Sequence, residues 1–230
     1  MRIVLASASP RRRELIKKIT ESFETVPAQI DEAAVERAVI SCADTTDRTV
    51  IGDKVVQELA REKAFSVFMS LGEPDDTLVI GADTVVCIKD EILGKPKDRE
   101  DAVRMLRAQS LEPQQVITGV TLIYNCSRRP ESGCGKACCA GCCNAADGTL
   151  VRTFTEDSFV YFKPLDAEQE ARIQAYCDTK EPYDKAGGYG IQLGGIALVD
   201  RYEGDLENII GFPVNRIKQE IADLTCCNNR

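Results

Sequence analysis

Short apolar runs alternate along this chain with longer stretches in which apolar residues recur at helical spacing. Residues 2–6 form a short apolar run and predict a buried first strand. Ser9 then has the character of a helix N-cap, with Pro10 at the first helical position, so a helix follows through Leu15 and Ile16 to about Ile19. Residues 23–27 predict a second strand that ends in a loop carrying Asp31 and Glu32. The polar stretch 40–53 predicts a loop or helix-end excursion. Val55, Leu59, Ala60, Ala64, Val67 and Phe68 fit the helical period over residues 54–71. Residues 78–82 are continuously apolar, as in a central strand, and 84–88 continue it into a hairpin turn at 89–91. A helix is predicted at 98–109, strands at 115–124 and 150–162, and a helix at 167–177. Residues 184–190 are rich in turn formers. A short strand at 196–200 and a last helix at 213–224 complete the pattern. No segment repeats. The mixture predicts an α/β or α+β chain around a largely curved central sheet.

Composition narrows the chemistry. The chain has 230 residues and no His, which removes His-based triads, His-ligated zinc and histidine proton shuttles. Acid–base work falls to Asp, Glu, Lys, Tyr or Cys. Lys and Arg number 29 against 37 Asp and Glu, a formal charge of −8, which argues against a nucleic-acid or anionic-membrane surface. No apolar run approaches a membrane span, and the N-terminus lacks a signal-peptide core, so a cytoplasmic protein is expected. Six of the 11 Cys fall between Cys126 and Cys143. That clustering does not resemble a secreted disulfide framework, and a reducing compartment is expected. Residues 125–148 have no hydrophobic period and predict an exposed insertion in a hairpin. The spacing Cys134-x3-Cys138-Cys139-x2-Cys142-Cys143 offers thiolates to zinc, but a loop without a metal is the stronger expectation.

Four groups of residues carry candidate chemistry. In Ser7-Ala8-Ser9-Pro10-Arg11-Arg12, a strand feeds a capped helix whose first amides are free, and Arg suits phosphate oxygens. Asp83 directly follows an apolar strand run; buried unpaired it is costly, so it must meet a metal, a cation or a solvent-filled cleft. Glu32, Lys63 and Lys95 add a carboxylate and ammonium groups that would offset polyphosphate charge. In Asp184-Lys185-Ala-Gly-Gly-Tyr-Gly-Ile-Gln192, the glycines permit close approach to a ligand, and the Gln192 amide suits a base edge. Each also has a plain structural reading, as a cap, a turn or a solvated surface charge.

Taken in order, Ser-Ala-Ser-Pro-Arg-Arg (7–12), Asp31-Glu32, Arg61-Glu-Lys63, Ile80-Gly-Ala-Asp83-Thr84, Gly94-Lys95-Pro, Thr118-Gly-Val, residues 184–192 and Asn208-Ile-Ile-Gly-Phe-Pro213 resemble the Maf family of nucleoside triphosphate pyrophosphatases, also called septum-formation inhibitor proteins. The resemblance spans residues 2–224 apart from 40–53 and 125–148. It implies a single two-lobed α/β domain of the Maf/ITPase-like fold, with an elongated, curved mixed sheet flanked by helices and an active-site cleft between the lobes. It also implies a divalent-metal-dependent hydrolysis between the α and β phosphates, and a homodimer. Asp83 matches the family's proton acceptor. Arg11, Thr84 and Gln192 match positions tied to substrate choice, and the chain is similar to the dTTP/UTP branch.

The expected mechanism follows from both readings. Asp83 and Glu32 hold Mg²⁺ or Mn²⁺, and Asp83 serves as base, ligand or both. Arg11, Arg12, Lys63 and Lys95 grip the triphosphate, and Ser7 and Ser9 help at the helix end. Thr84 and Gln192 sense the base, and Asp184 and Lys185 also bind the substrate. Two alternatives stay open: a nucleotide-binding regulator of cell division that does not hydrolyse, and a pyrophosphatase for damaged or purine nucleotides.

Overall fold

The computed structural model describes residues 1–72, 74–89, 91–125 and 149–226. The cysteine-rich stretch, with the zinc reading of its thiols, lies outside the described residues.

One mixed sheet organises the chain. Its strands are β1 (Arg2–Leu5), β2 (Glu24–Thr25), β3 (Thr77–Ile88), β4 (Glu91–Leu93), β5 (Gln114–Asn125), β6 (Thr149–Phe162) and β7 (Val199–Glu203). The order is β2-β1-β3-β5-β6-β7, and β4 pairs with β3. β1 runs parallel to β2 and β3, whereas β3, β5, β6 and β7 are successively antiparallel. The helices are α1 (Pro10–Ile16), α2 (Glu32–Ser41), α3 (Arg48–Ser70), α4 (Arg99–Leu111), α5 (Ala167–Cys177), α6 (Leu206–Ile210) and α7 (Val214–Cys226).

Side chains alternate across the strands and build cores on both faces of the sheet. On one face, α3 packs Val55, Val56 and Leu59 against Val85 and Ile117, and Ala64, Val67 and Phe68 against Val4, Val79 and Ile123. On the other, α1 and α7 bury Ile16 and Ile217 against Leu5, Ile80 and Leu122. There α4 and α5 bury Leu106 and Ile173 against Val86, Val116 and Val160. Each such aliphatic side chain contributes roughly 2 kcal/mol by leaving water.

Several expectations are corrected. A helix, α2, begins where a loop at Asp31-Glu32 was expected. The Asp31 carboxylate caps it, accepting from the Ala34 amide at 3.0 Å. No residue of α2 is fully buried, so it lacks the strong apolar stripe that periodicity detects. α3 starts at Arg48 rather than near Lys54, because the Asp47 carboxylate caps it through the Thr49 and Val50 amides. The polar stretch therefore holds a helix start. The second strand shrinks to Glu24–Thr25, and α1 stops at Ile16. Residues 194–198 are 3-10 turns, which moves the last strand to Val199–Glu203. Helix α6, capped by Asp205, was not anticipated.

Surface pairing joins α4 to α5. Arg107 donates twice to Glu170, which also accepts from Gln174 at 2.7 Å. Those bonds hold the Glu170 carboxyl down at about 2, led by the Arg107 contact. A carboxyl depressed on folding stabilises the native state above its unfolded value and loses that contribution as pH falls through its folded value. Arg107→Met is therefore expected to lower stability only slightly at neutral pH, as for an exposed, solvent-screened pair. Urea unfolding should show that difference vanishing as pH drops from about 4.5 toward 2.

Candidate active site

The cleft lies where the sheet edge is bare. β1 ends at Leu5, opposite Ile80, and β4 joins β3 only at Val86, opposite Leu93. Among the described residues, 81–85 of β3 thus have no strand partner on that edge. A cleft of about 630 Å³ surrounds the gap. Every site residue named from the sequence lines it: Ser7, Ser9, Arg11, Arg12, Glu32, Lys63, Asp83, Thr84, Lys95, Asp184, Lys185 and Gln192. Asp31 does not; it is the cap of α2.

The centre is a carboxylate–ammonium–carboxylate group. Lys63, on α3, reaches Asp83 Oδ1 at 2.6 Å and Glu32 Oε1 at 2.8 Å. The Lys63 and Asp83 side chains are only 10% and 14% exposed, so the pair is nearly buried, while Glu32 is 56% exposed. Among the described residues, Asp83 Oδ2 accepts no hydrogen bond and remains available to a ligand or water. Partial burial works against charge on Glu32. The Lys63 hydrogen bond and the positive charges of Lys63, Lys95 and Arg12 outweigh it and keep the carboxyl below its usual range.

Asp83 reaches Lys63 because the sheet and α3 touch at glycine. A Cβ on Gly81 would lie 2.3 Å from the Ala60 carbonyl oxygen, and one on Gly119 would lie 2.4 Å from that of Val56. Gly119 is the β5 partner of Asp83 itself. Only glycine lets the helix approach closely enough for its lysine to meet a strand carboxylate.

Further positive groups line the cleft. Arg11 Nη1 meets Asp184 Oδ2 at 3.2 Å, linking the start of α1 to the 184–192 loop. Lys185 is buried and donates to Asp184 Oδ1 and to the Glu181 carbonyl, both at 2.5 Å. Burial opposes the Asp184 charge, but Lys185 and Arg11 together hold its carboxyl below the ordinary value. Lys95 is exposed and forms no ion pair with any described residue. Ser7 Oγ accepts from the Ser9 amide at 3.1 Å, and Ser9 caps α1. Gln192 is exposed at the rim.

Arg12 departs from the expected phosphate grip. Its guanidinium donates to the carbonyls of Ala82 and Gly211 and to Thr84 Oγ1, at 2.8, 2.9 and 3.0 Å. Thr84 Oγ1 also bonds Thr118 Oγ1 at 3.0 Å, so its hydroxyl is engaged within the protein as well as facing the cleft. Sequence reasoning missed Glu36, which also lines the cleft. Glu36 follows Glu32 by one helical turn of α2, a spacing that joins the two carboxylates only on a helix.

The oxygen donors fit a hard divalent cation. Among the described residues, no three His, Cys, Asp or Glu side chains gather into a metal-binding group. Two carboxylates at one cleft mouth match an ion that takes one or two protein carboxylates and fills its shell with water and phosphate oxygens.

Comparison with known proteins agrees with this architecture. A protein named dTTP/UTP pyrophosphatase from Acetivibrio thermocellus is 38% identical over 227 residues, covering 97% of this chain and 95% of its own. A protein of the same name from Carboxydothermus hydrogenoformans is 36% identical, covering 97% and 98%. Another, from Bacillus velezensis, is 36% identical, covering 96% of each chain. The family profile described as "Maf-like protein" matches residues 2–224, from the first strand through the last helix, and the chain belongs to that family.

Proposed function

We propose that this chain is a nucleoside triphosphate pyrophosphatase that hydrolyses dTTP and UTP to the nucleoside monophosphate and pyrophosphate, acting as a divalent-metal-dependent enzyme. The observation that carries the reading is Asp83: a nearly buried carboxylate fixed by Lys63 on one oxygen, open on the other, and set in a cleft also lined by Arg11, Arg12, Lys95 and Lys185. The names of the near full-length relatives support the same chemistry.

Glu32 and Asp83 are the residues that would hold a divalent cation, Mg²⁺ or Mn²⁺, which when bound would supply Lewis-acid polarisation of the phosphate and a lowered pKa for nearby water. Asp83 orients a water toward the α-phosphorus and takes its proton through Oδ2. The water oxygen bonds to phosphorus as the bond to the bridging oxygen breaks, and pyrophosphate leaves with that electron pair. Lys63 holds the Asp83 carboxylate in place. Arg11, Lys95 and Lys185 offset the charge gathering on the leaving group. Ser7 and Ser9 hydrogen-bond phosphate oxygens, while Thr84 and Gln192 meet the base.

The test is pyrophosphate release from dTTP, UTP, CTP and GTP, with metal present and after chelation. The reading expects release from dTTP and UTP that chelation abolishes. Tight nucleotide binding without release would instead indicate a regulator, and preference for purines a different substrate. Gln192→Ala is expected to lower the dTTP-to-GTP ratio of kcat/KM about tenfold, the scale of one lost neutral hydrogen bond. An unchanged ratio would remove Gln192 from base recognition.

A further inference from the structure

The strand edge left bare in the cleft is also the place where Arg12 reaches across. Among the described residues, 81–85 lack a strand neighbour on that side. The Arg12 fork binds the Ala82 carbonyl and Thr84 Oγ1, the residues on either side of Asp83. Its Nε simultaneously binds the Gly211 carbonyl at the C-terminal end of α6. Thr118 Oγ1, which bonds Thr84, also donates to the Asn208 carbonyl at 3.2 Å, so the same region is tied to α6 twice.

We propose that Arg12 is a positioning residue for Asp83, its guanidinium standing in for the missing strand so that the catalytic carboxylate stays aimed into the cleft. This rests on the function proposed above. Three acceptors from β3 and α6 lie around one planar group, and only a fork with donors in several directions satisfies them together. A lysine supplies the charge but not the fork. A phosphate-gripping arginine would instead keep its donors for the ligand.

Two readouts test this on the intact protein, using Arg12→Lys and Arg12→Met. The first is dTTP turnover. Both variants are expected to lose about 100-fold in kcat, the scale of an ångström-level misplacement of a reacting group, with KM within about threefold of wild type. A near-normal kcat in Arg12→Lys overturns the proposal, because charge alone would then suffice. So does a large rise in KM with kcat preserved, which marks a phosphate grip. The second readout needs no activity: amide hydrogen exchange in folded Arg12→Lys. Faster exchange is expected at residues 81–85 and at their β5 partners 117–121, with β6 residues 151–157 unchanged. Unchanged exchange at 81–85 overturns the proposal. If wild type releases no pyrophosphate while exchange rises as expected, the functional reading fails and the splint stands. Should Arg12→Met not fold, Arg12→Lys, which keeps the aliphatic stem and the charge, carries both measurements.

Discussion

Asp83→Asn is expected to lower kcat for dTTP about 10³-fold, within the range for removing a general base, while leaving the fold intact. The amide matches the carboxylate in size and can still accept from Lys63 through its oxygen. It cannot take a proton from water. Removing one partner of a buried pair commonly costs about 3–5 kcal/mol, because the other charge is stranded. Here Lys63 keeps Glu32 at 2.8 Å, and Glu32 reaches solvent, so the ammonium is not left alone. The stability loss should therefore fall well below that range. Pyrophosphate release and thermal unfolding, measured on the same preparation, separate the two effects. Wild-type turnover in this variant would sink the assignment of Asp83, and with it the proposed mechanism.

Gly81→Ala is expected to damage stability and activity together. The new methyl would sit 2.3 Å from the Ala60 carbonyl oxygen and 2.8 Å from the Ala64 nitrogen, both backbone atoms of α3. Backbone cannot rotate aside as a side-chain tip can, so the helix must withdraw from the sheet. Overpacking of this kind costs about 1–3 kcal/mol and sometimes more. Lys63 sits between Ala60 and Ala64 on the same helix, so withdrawal also stretches its 2.6 Å bond to Asp83. A fall in kcat of about 100-fold follows from that displacement. Gly119→Ala, against Val56 on the next turns of α3, should repeat both effects. Urea unfolding with parallel turnover measurements gives the test. A Gly81→Ala protein that melts and turns over like wild type would show that close helix–sheet approach is not what sets the site.

The elements with a strong period were readable in advance. The apolar run before Asp83, the α3 stripe from Val55 to Phe68 and the long strands β5 and β6 bury continuous apolar surface, which leaves a mark in linear order. Helix α2 and the first turns of α3 were not readable. Their starts depend on Asp31 and Asp47 accepting local amides, and a polar cap in a polar stretch looks like any loop. The chemistry of the site was legible as residue types in ordered motifs, and the charged, hydroxyl and amide residues proposed for catalysis and substrate binding line a single cleft, whereas Asp31 caps α2 instead.

By itself, the order of residues determined which side chains bring charge, hydroxyl and amide groups to the cleft, because those groups are covalent facts of each residue. Which of them touch was decided only in three dimensions. Lys63 and Asp83 are twenty positions apart and meet because two glycines let a helix settle on the sheet. Arg12 looked like a hand for phosphate; folding gave it three protein acceptors first, one of them 199 residues away. Donor geometry depends on where distant backbone carbonyls end up, and that is settled by how the whole chain packs.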